Sequence, residues 1–455
     1  MPELIELAIV GGGPAGLAAA AEAADLGVNV TLIDGFSLLG GQYYKQTPPG
    51  LGGAPEALGQ QLFERLARGD VQVIAETSVW GIFPDDAGYL LCLYGPPGTP
   101  RRLRAKQIIL APGAHDRPVP FPGWTLPGVL TAGGALALVK HQRLVPGRRV
   151  LLSGTGPLQL VLAQHLLEAG AKVVAVLEAN QFPWHAWRHA LAAWGQGERL
   201  KEGWGAWRAM QRAGTPLRWG HVVRRAEGMG QVEQAVIGPV QGTATETVAV
   251  DTICLGHGLT PSIQLARQAG CQHRYDSQQR VYLPVRDAEL QTTLPGIFVA
   301  GDGAGIGGKD VALWEGRLAA LGAACHVGRT VSPDRVSAVQ HELSHQRRLA
   351  AALLAMFPPS AHLDSLLTDD TVLCRCEEIT VGEIRQAVRE GASTLNAVRM
   401  VTRAGMGRCQ GRMCGGPILE LLARELNQPA DALGQVTPRA PVTPIPLEGL
   451  LEEEQ

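Results

Sequence analysis

A strand, a glycine-rich turn, a helix and a second strand ending in an acid open the chain, and no other feature limits its fold so strongly. Leu7 to Val10 reads as a short buried strand that runs into Gly11-Gly12-Gly13-Pro14-Ala15-Gly16 and then an alanine-rich helix. Val28 to Ile33 reads as the next strand and ends at Asp34. In such a βαβ unit the first glycine permits the tight turn. The second bares backbone to a pyrophosphate, and the third lets helix and strand pack closely. The helix N-terminus offers free N–H groups and a partial positive charge to phosphates. Asp34 is placed to accept a hydrogen bond from a ribose. A lone G-x-G-x-x-G occurs in many turns, but flanking strands and an acid about 20 residues on make it a dinucleotide signature. Gly11, Gly13, Pro14, Ala15, Gly16 and Asp34 are therefore candidate binding residues.

Other segments say which dinucleotide. Gly40-Gly41-Gln42 follows the acid, and Gly41 and Gln42 join the candidates. Far downstream, Gly296-Ile-Phe-Val-Ala-Gly-Asp302 leads into a glycine-rich turn and a helix expected from about Val311. There Asp302 can bind a ribityl hydroxyl, and the helix N-terminus can face the electron-rich end of a flavin. These segments, with IILAPG at 108 to 113, resemble the FAD signatures of the thioredoxin reductase-like flavoproteins, which have two dinucleotide domains. The redox C-x-x-C of a thioredoxin reductase is missing here, so direct disulfide chemistry is not expected.

The middle third repeats the pattern less well. Val150 to Ser153 reads as a strand, Gly154-Thr155-Gly156-Pro157-Leu158-Gln159 opens a helix, and Val173 to Leu177 ends at Glu178. This resembles the nested nicotinamide domain of the same group. Gly154, Gly156 and Glu178 are the candidate residues, and Glu178 suits the 2′-hydroxyl of NAD. Gln159 stands where the third glycine belongs, and its side chain is expected to hinder helix–strand packing. NAD, another adenine nucleotide or no ligand all stay open for this domain. Six tryptophans between Trp184 and Trp219 mark either a packed helical excursion or a subunit interface. His185 and His189 read as surface or interface histidines.

Composition excludes several classes. The 455 residues carry a net charge of −2, which argues against a nucleic-acid footprint. No apolar run reaches the roughly 18 residues needed to span a bilayer. Eight cysteines are too sparse for a secreted disulfide scaffold. The start of the chain runs straight into a strand without a signal-peptide pattern. A cytoplasmic, reducing location is expected, with any contact to the inner membrane made through partners. In that setting clustered thiols bind metal or carry electrons.

Four of the eight cysteines are clustered. Cys374 and Cys376 form C-x-C, and after 32 intervening residues Cys409 and Cys414 form C-x4-C. Thr380 and Glu383 make a capping box for a helix that Gly391 can end, Ser393 or Thr394 can start a second, and a third can run from Pro417 to about Leu426. Zinc modules mostly use wider knuckles. The C-x-C and C-x4-C spacing resembles the bacterioferritin-associated ferredoxin-like domain. That resemblance implies a 2Fe–2S cluster held by Cys374, Cys376, Cys409 and Cys414. Such a cluster carries about −2 formal charge with its thiolates, which Arg375, Arg408 and Arg412 can offset. Cys92, Cys254, Cys271 and Cys325 read as isolated, mostly core residues.

The order expected along the chain is α/β with two nested Rossmann-like domains and a small helical iron–sulfur domain. Residues 1–117 form the first part of the FAD domain, 118–255 the nested domain, and 256–330 the second FAD part. A helical linker spans 331–370, the 2Fe–2S domain 371–430, and a Pro-rich acidic tail 431–455. The tail cannot make a core alone and is expected to be disordered or laid on a partner. The phrases APGAHDRPVPFPGWTLPGVLTAGG, CRCEEIT, TRAGMGRCQGRMCGG and TPRAPVTPIPLEGLL resemble the α-type subunit of heteromeric amine dehydrogenases, the opine oxidase, hydrogen cyanide synthase and D-hydroxyproline dehydrogenase group.

The resemblance implies a partner flavoprotein subunit like glycine or sarcosine oxidase that oxidises the amine, a small ferredoxin-like subunit, and an FMN at a subunit interface. No catalytic base is assigned: His115, Asp116 and His257 read as residues shaping loops near the flavin. Three readings stay open. The chain is an electron-transfer subunit of an amine dehydrogenase, a stand-alone NADH-dependent reductase, or a non-redox scaffold with a zinc module.

Overall fold

A computed structural model of the protein describes residues 4–46, 56–182, 184, 197–360 and 363–450. His185, His189 and part of the tryptophan-rich segment lie outside the described residues. The first strand is Leu4–Val10, followed by helix Pro14–Asp25 and strand Val30–Ile33. Leu4–Val10 runs parallel between Val30–Ile33 and Arg102–Leu110, so that Val10 stands beside both Ile33 and Leu110. The carboxyl ends of all three strands meet at one edge, where ligands bind in open α/β sheets. Val71–Ile74 extends the sheet on one side, and the antiparallel strands Ser78–Asp85 and Gly88–Tyr94 extend it on the other.

The chain leaves this half along Ala114–Asp116 and comes back along Leu259–Pro261, and the two segments pair antiparallel. Between them lies a second parallel sheet of Leu217–Trp219, Lys172–Glu178, Arg149–Gly154, Thr252–Gly256 and Val129–Thr131, in that order. After the return, Ile297–Val299 joins Arg102–Leu110 in parallel, and helix Lys309–His326 packs on Pro14–Asp25. The next helix, Pro333–Met356, adds Val339 and Leu343 to the same apolar core as Leu7, Ala19, Phe298 and Ala319. The fold is the mixed α/β dinucleotide-binding fold expected from the sequence, with a small helical module at its carboxyl end. Among the described residues no helix is long and apolar enough to cross a membrane.

The module packs helices Val381–Arg389, Leu395–Thr402 and Gly415–Glu425 around Leu373, Ile384, Val398, Ile418 and Leu422. Both halves of the capping box are made: Glu383 N donates to Thr380 Oγ1 at 3.3 Å, and Thr380 N donates to Glu383 Oε2 at 2.8 Å. Thr394, rather than Ser393, caps the second helix by accepting from Ala397 N at 3.1 Å.

The tail corrects an expectation. Its described part is laid on its own chain. Val442 is buried in the core of the first half and donates its N–H to Trp80 O at 2.9 Å. Arg412 donates to Val442 O at 2.7 Å, and Gln410 to Pro441 O at 2.9 Å. An irregular segment needs no core of its own when two neighbouring domains supply the partners.

One buried charge group ties the returning segment together. Glu315 is 3% exposed and accepts from Arg286 at 2.9 and 3.3 Å, Arg347 at 2.6 Å and Gly301 N at 2.9 Å. Burial pushes its carboxyl up, but the two guanidinium groups more than reverse this, and its pKa sits below the ordinary 4.5. A depressed carboxylate contributes stability above its unfolded pKa and loses it as pH falls through the folded value. Glu315→Gln is therefore expected to cost about 3 kcal/mol near neutral pH, as when one partner of a buried pair is removed. The difference from wild type should shrink below pH 4.5. Urea unfolding of both proteins across pH checks this; equal stabilities at pH 7 would contradict it.

Candidate functional site

The first glycine turn is built so tightly that only glycine fits at its two ends. Gly11 has φ +107, and a Cβ there would stand 2.2 Å from Ala111 O. A Cβ at Gly16 would stand 1.7 Å from Gly11 O. Gly13 faces Gly41 across the cleft, where a Cβ on Gly41 would come within 2.8 Å of Gly13 Cα. Pro14 and Ala15 begin the helix, so its first N–H groups point at the crevice. Asp34 is buried and accepts from Gly12 N and, at 2.8 Å, from Phe36 N. Gln42 is exposed beside the turn.

The returning segment brings Asp302 to this edge. Gly307 N and Gly308 N each donate to its Oδ1 at 3.0 Å. Burial pushes the Asp302 carboxyl up, and those two amides oppose the shift. A bare-backbone turn, a ribose-facing acid and a second acid at the start of a helix fit the pyrophosphate, ribose and ribityl groups of FAD.

In the nested domain Gly154 is needed, since a Cβ there would stand 2.1 Å from Gly256 O. Glu178 is buried and accepts from Thr155 Oγ1 at 2.8 Å, Gly156 N at 2.9 Å and Asn180 N at 3.0 Å. Burial pushes its carboxyl up. The expected hindrance from Gln159 does not arise. Its buried side chain lies over Gly256, where a Cβ would stand 3.3 Å from Gln159 Cγ. The space that a third glycine would give is supplied by the neighbouring strand.

The four cysteines converge in the module as two pairs. Cys374 is in hydrogen-bonding contact with Cys414, and Cys376 with Cys409. Cys374 and Cys414 are buried, Cys409 is half-buried and Cys376 is exposed. One pair thus faces the module core and the other the surface. The contact with Cys414 draws the Cys374 thiol down to about 5 and drives Cys414 up, and Gly405 N adds a 3.4 Å hydrogen bond to Cys374 Sγ. Among the described residues no three His, Cys, Asp or Glu side chains gather as a single bound ion would require. The pairs also act on each other, Cys374 raising the pKa of Cys376 and Cys409 that of Cys414, so the four thiols share one site with two thiols available to each of two irons.

Of the three arginines named from sequence, Arg375 stacks over Trp124 at 5.3 Å, Arg408 is exposed, and Arg412 stays beside Cys409 and donates to its carbonyl at 3.3 Å. The basic residue beside Cys414 is one the sequence did not mark. Arg399 lies on the helix Leu395–Thr402, donates to Gly405 O at 3.2 Å and has a buried Nε without a hydrogen-bond partner. His115 points at the module, 3.2 Å from Arg412 O, and Asp116 Oδ1 accepts from Gly133 N at 3.1 Å. His257 is buried, which lowers its pKa to about 4. His115 lines a cavity beside Arg117 and Arg412, and His257 lines a small neighbouring one.

Fold and site define a two-dinucleotide-domain oxidoreductase with an appended iron–sulfur module. The chain belongs to the pyridine nucleotide-disulphide oxidoreductase family, whose model matches residues 5–324, and residues 372–424 match the BFD-like 2Fe-2S binding domain. These matches imply FAD in the first half and a 2Fe–2S cluster in the module. The chain is similar to an opine oxidase subunit of Agrobacterium tumefaciens (strain Ach5), at 32% identity over 99% of this chain and 92% of the relative. It is similar also to hydrogen cyanide synthase subunit HcnB of Pseudomonas aeruginosa, at 33% identity over 96% of each. Among solved structures it resembles L-proline dehydrogenase from P. horikoshii, with a TM-score of 0.74 and 21% identity over 99% of this chain and 80% of that one, a likeness of fold. The kinship expected from those sequence phrases is thereby established.

The two cysteine loops approach through Gly407, where a Cβ would stand 2.3 Å from Cys376 Cβ. Gly407→Ala must push them apart and is expected to lower bound iron several-fold, while Gly416→Ala, with open space around it, should keep it. Iron and flavin assays on both variants check this; full iron in Gly407→Ala would contradict the close approach.

Proposed function

We propose that the chain is the FAD- and 2Fe–2S-containing electron-transfer subunit of a heteromeric amine or amino-acid dehydrogenase of opine, glycine or hydroxyproline type. A partner flavoprotein subunit oxidises the amine, and this chain passes the electrons towards an acceptor. The observation that carries the reading is one chain that holds a dinucleotide cradle and, in a module packed against the same half, a thiol pair facing the core backed by a pair facing the surface. Near-full-length similarity to the opine oxidase subunit supports the same reading.

FAD, when bound, takes up electrons in pairs, and a 2Fe–2S cluster carries them singly. The residues of this chain position both. Gly11, Gly13, Pro14, Ala15 and Gly16 would hold the pyrophosphate, Asp34 the ribose, and Asp302 with Gly41 and Gln42 the flavin-proximal part. Cys374, Cys376, Cys409 and Cys414 would hold the irons, with Arg399 and Arg412 offsetting their charge. The expected domain order, with the cluster domain at 371–430, follows from the same assignment. A cavity of about 770 Å³ between the first half, the module and the tail is lined by Arg117, Arg280, Arg399, Arg412, Tyr275 and Tyr282. Its guanidinium groups and ring faces suit a phosphate-bearing aromatic cofactor, and the FMN shared with the partner belongs there in this reading. A small ferredoxin-like subunit is the proposed neighbour of the exposed Cys376.

The test is a visible spectrum, metal analysis and EPR on anaerobically purified protein. Two irons per chain, flavin bands, and a dithionite-reduced signal lost in Cys409→Ser are expected. Reduction should then follow addition of the partner flavoprotein with its amine. One zinc without flavin would sink the reading in favour of a scaffold. Rapid reduction by NADH alone would favour the stand-alone reductase.

A further inference from the structure

The nested domain has the strand–turn–helix of a nucleotide site, but its cradle is covered from within the chain. Helix Pro333–Met356 ends just before Phe357, and the next residues cross the turn at Gly156. A Cβ at Gly156 would stand 3.7 Å from Phe357 Cβ, so Phe357 lies on the backbone that the second glycine bares for a pyrophosphate. The Phe357 ring stacks on Trp219, 6.3 Å between centroids and 19° from parallel. Trp219 ends the strand beside Lys172–Glu178, on the side of the crevice where an adenosine would follow the ribose-binding acid. Asn180, two residues after that acid, donates one Nδ2 hydrogen bond to Thr155 Oγ1 at 2.6 Å and another to Pro358 O at 3.0 Å. Over the first cradle the matching neighbour is Gly41, whose Cα would stand 3.7 Å from a Cβ at Gly13 and which brings no side chain into the crevice.

We propose that Phe357 and Pro358 occupy the pyrophosphate and adenosine positions of the nested domain, which serves as a dock for the arm carrying the cysteine module and takes no nicotinamide dinucleotide. The rest of the arm is fastened to the same domain and, at Ser360, to Arg280 of the returning first half. Ser360 O accepts from Arg280 at 3.2 Å, Leu363 and Leu366 enter the core formed by Phe121, Trp124 and Ile253, and Trp124 Nε1 donates to Val372 O at 2.6 Å, two residues before Cys374. The groups that recognise phosphate and adenine elsewhere are here used to fix the position of the thiol pairs. The proposal does not depend on which partner supplies electrons.

Hydrogen exchange on the full, cofactor-loaded chain tests it. NADH is expected to add no protection to the amides of 154–156, 158 and 178–180 in the wild type, with no saturable binding by calorimetry. Phe357→Ala should speed exchange of those amides on the order of tenfold, as local cover is removed. Asn180→Ala, which alters no apolar core side chain, should speed them by less, and iron per chain should stay unchanged in it. Saturable NADH binding to wild type that protects 154–156 and 158 would overturn the proposal. So would unchanged exchange in both variants.

Discussion

The molecule depends on the return of one segment to the turn where it began. Helix Lys309–His326 crosses Pro14–Asp25 so closely that a Cβ at Gly316 would stand 2.0 Å from Ala15 O, and one at Gly301 would stand 2.9 Å from Ala15 Cβ. Small residues make the crossing possible, and dispersion across the shared core with Phe298 and Ala319 holds it. Two buried carboxylates reinforce it. Glu315 gathers Arg286, Arg347 and Gly301 N, and Glu22 gathers Arg317 at 2.8 Å and Arg335 at 2.7 Å. Without this crossing Asp302 would not reach the edge where the first glycine turn ends. The large insertion between the two halves is tolerated because its entry and exit, Ala114–Asp116 and Leu259–Pro261, pair with each other.

The module is held by the same logic of shared edges. Arg117 joins it through Glu420 at 3.0 Å, His115 lies against Arg412 O, and the tail crosses from the module to Trp80 in the first half. These contacts come from three separate stretches of chain. They place the buried Cys374 and Cys414 inward and leave Cys376 outward, so that the cluster proposed there has an inner and an outer side. Single-electron carriers need that polarity more than they need a substrate pocket, and the buried, uncharged state favoured for His257 agrees with a structural role.

Much of the fold was legible because glycine and proline are strict. The tight φ at Gly11, the strand ending in Asp34, the Gly-Asp302 phrase and the Thr380–Glu383 capping box are local features, and local features are written in consecutive residues. Two other readings depended on what lies far away in sequence, and one residue was passed over. Gln159 looked obstructive, but Gly256, nearly a hundred positions later, makes room for it. The tail looked unable to fold alone, yet Trp80 and Arg412 give its backbone partners. Arg399, six residues from Gly405, carried no mark because an arginine on a helix is ordinary until a thiol is packed beside it.

The sequence by itself determined the two βαβ units, their order, the four-cysteine module and the family, because each rests on glycine geometry, strand periodicity or ligand spacing within a short window. Only the tertiary structure decided that the cysteines form an inner and an outer pair, and that Phe357 lies over the second glycine turn. It alone brought Asp302 to the first turn. Those outcomes depend on which surfaces meet after the chain has crossed itself twice. Such meetings are set by packing and buried charge between residues tens to hundreds of positions apart, and no local pattern encodes them.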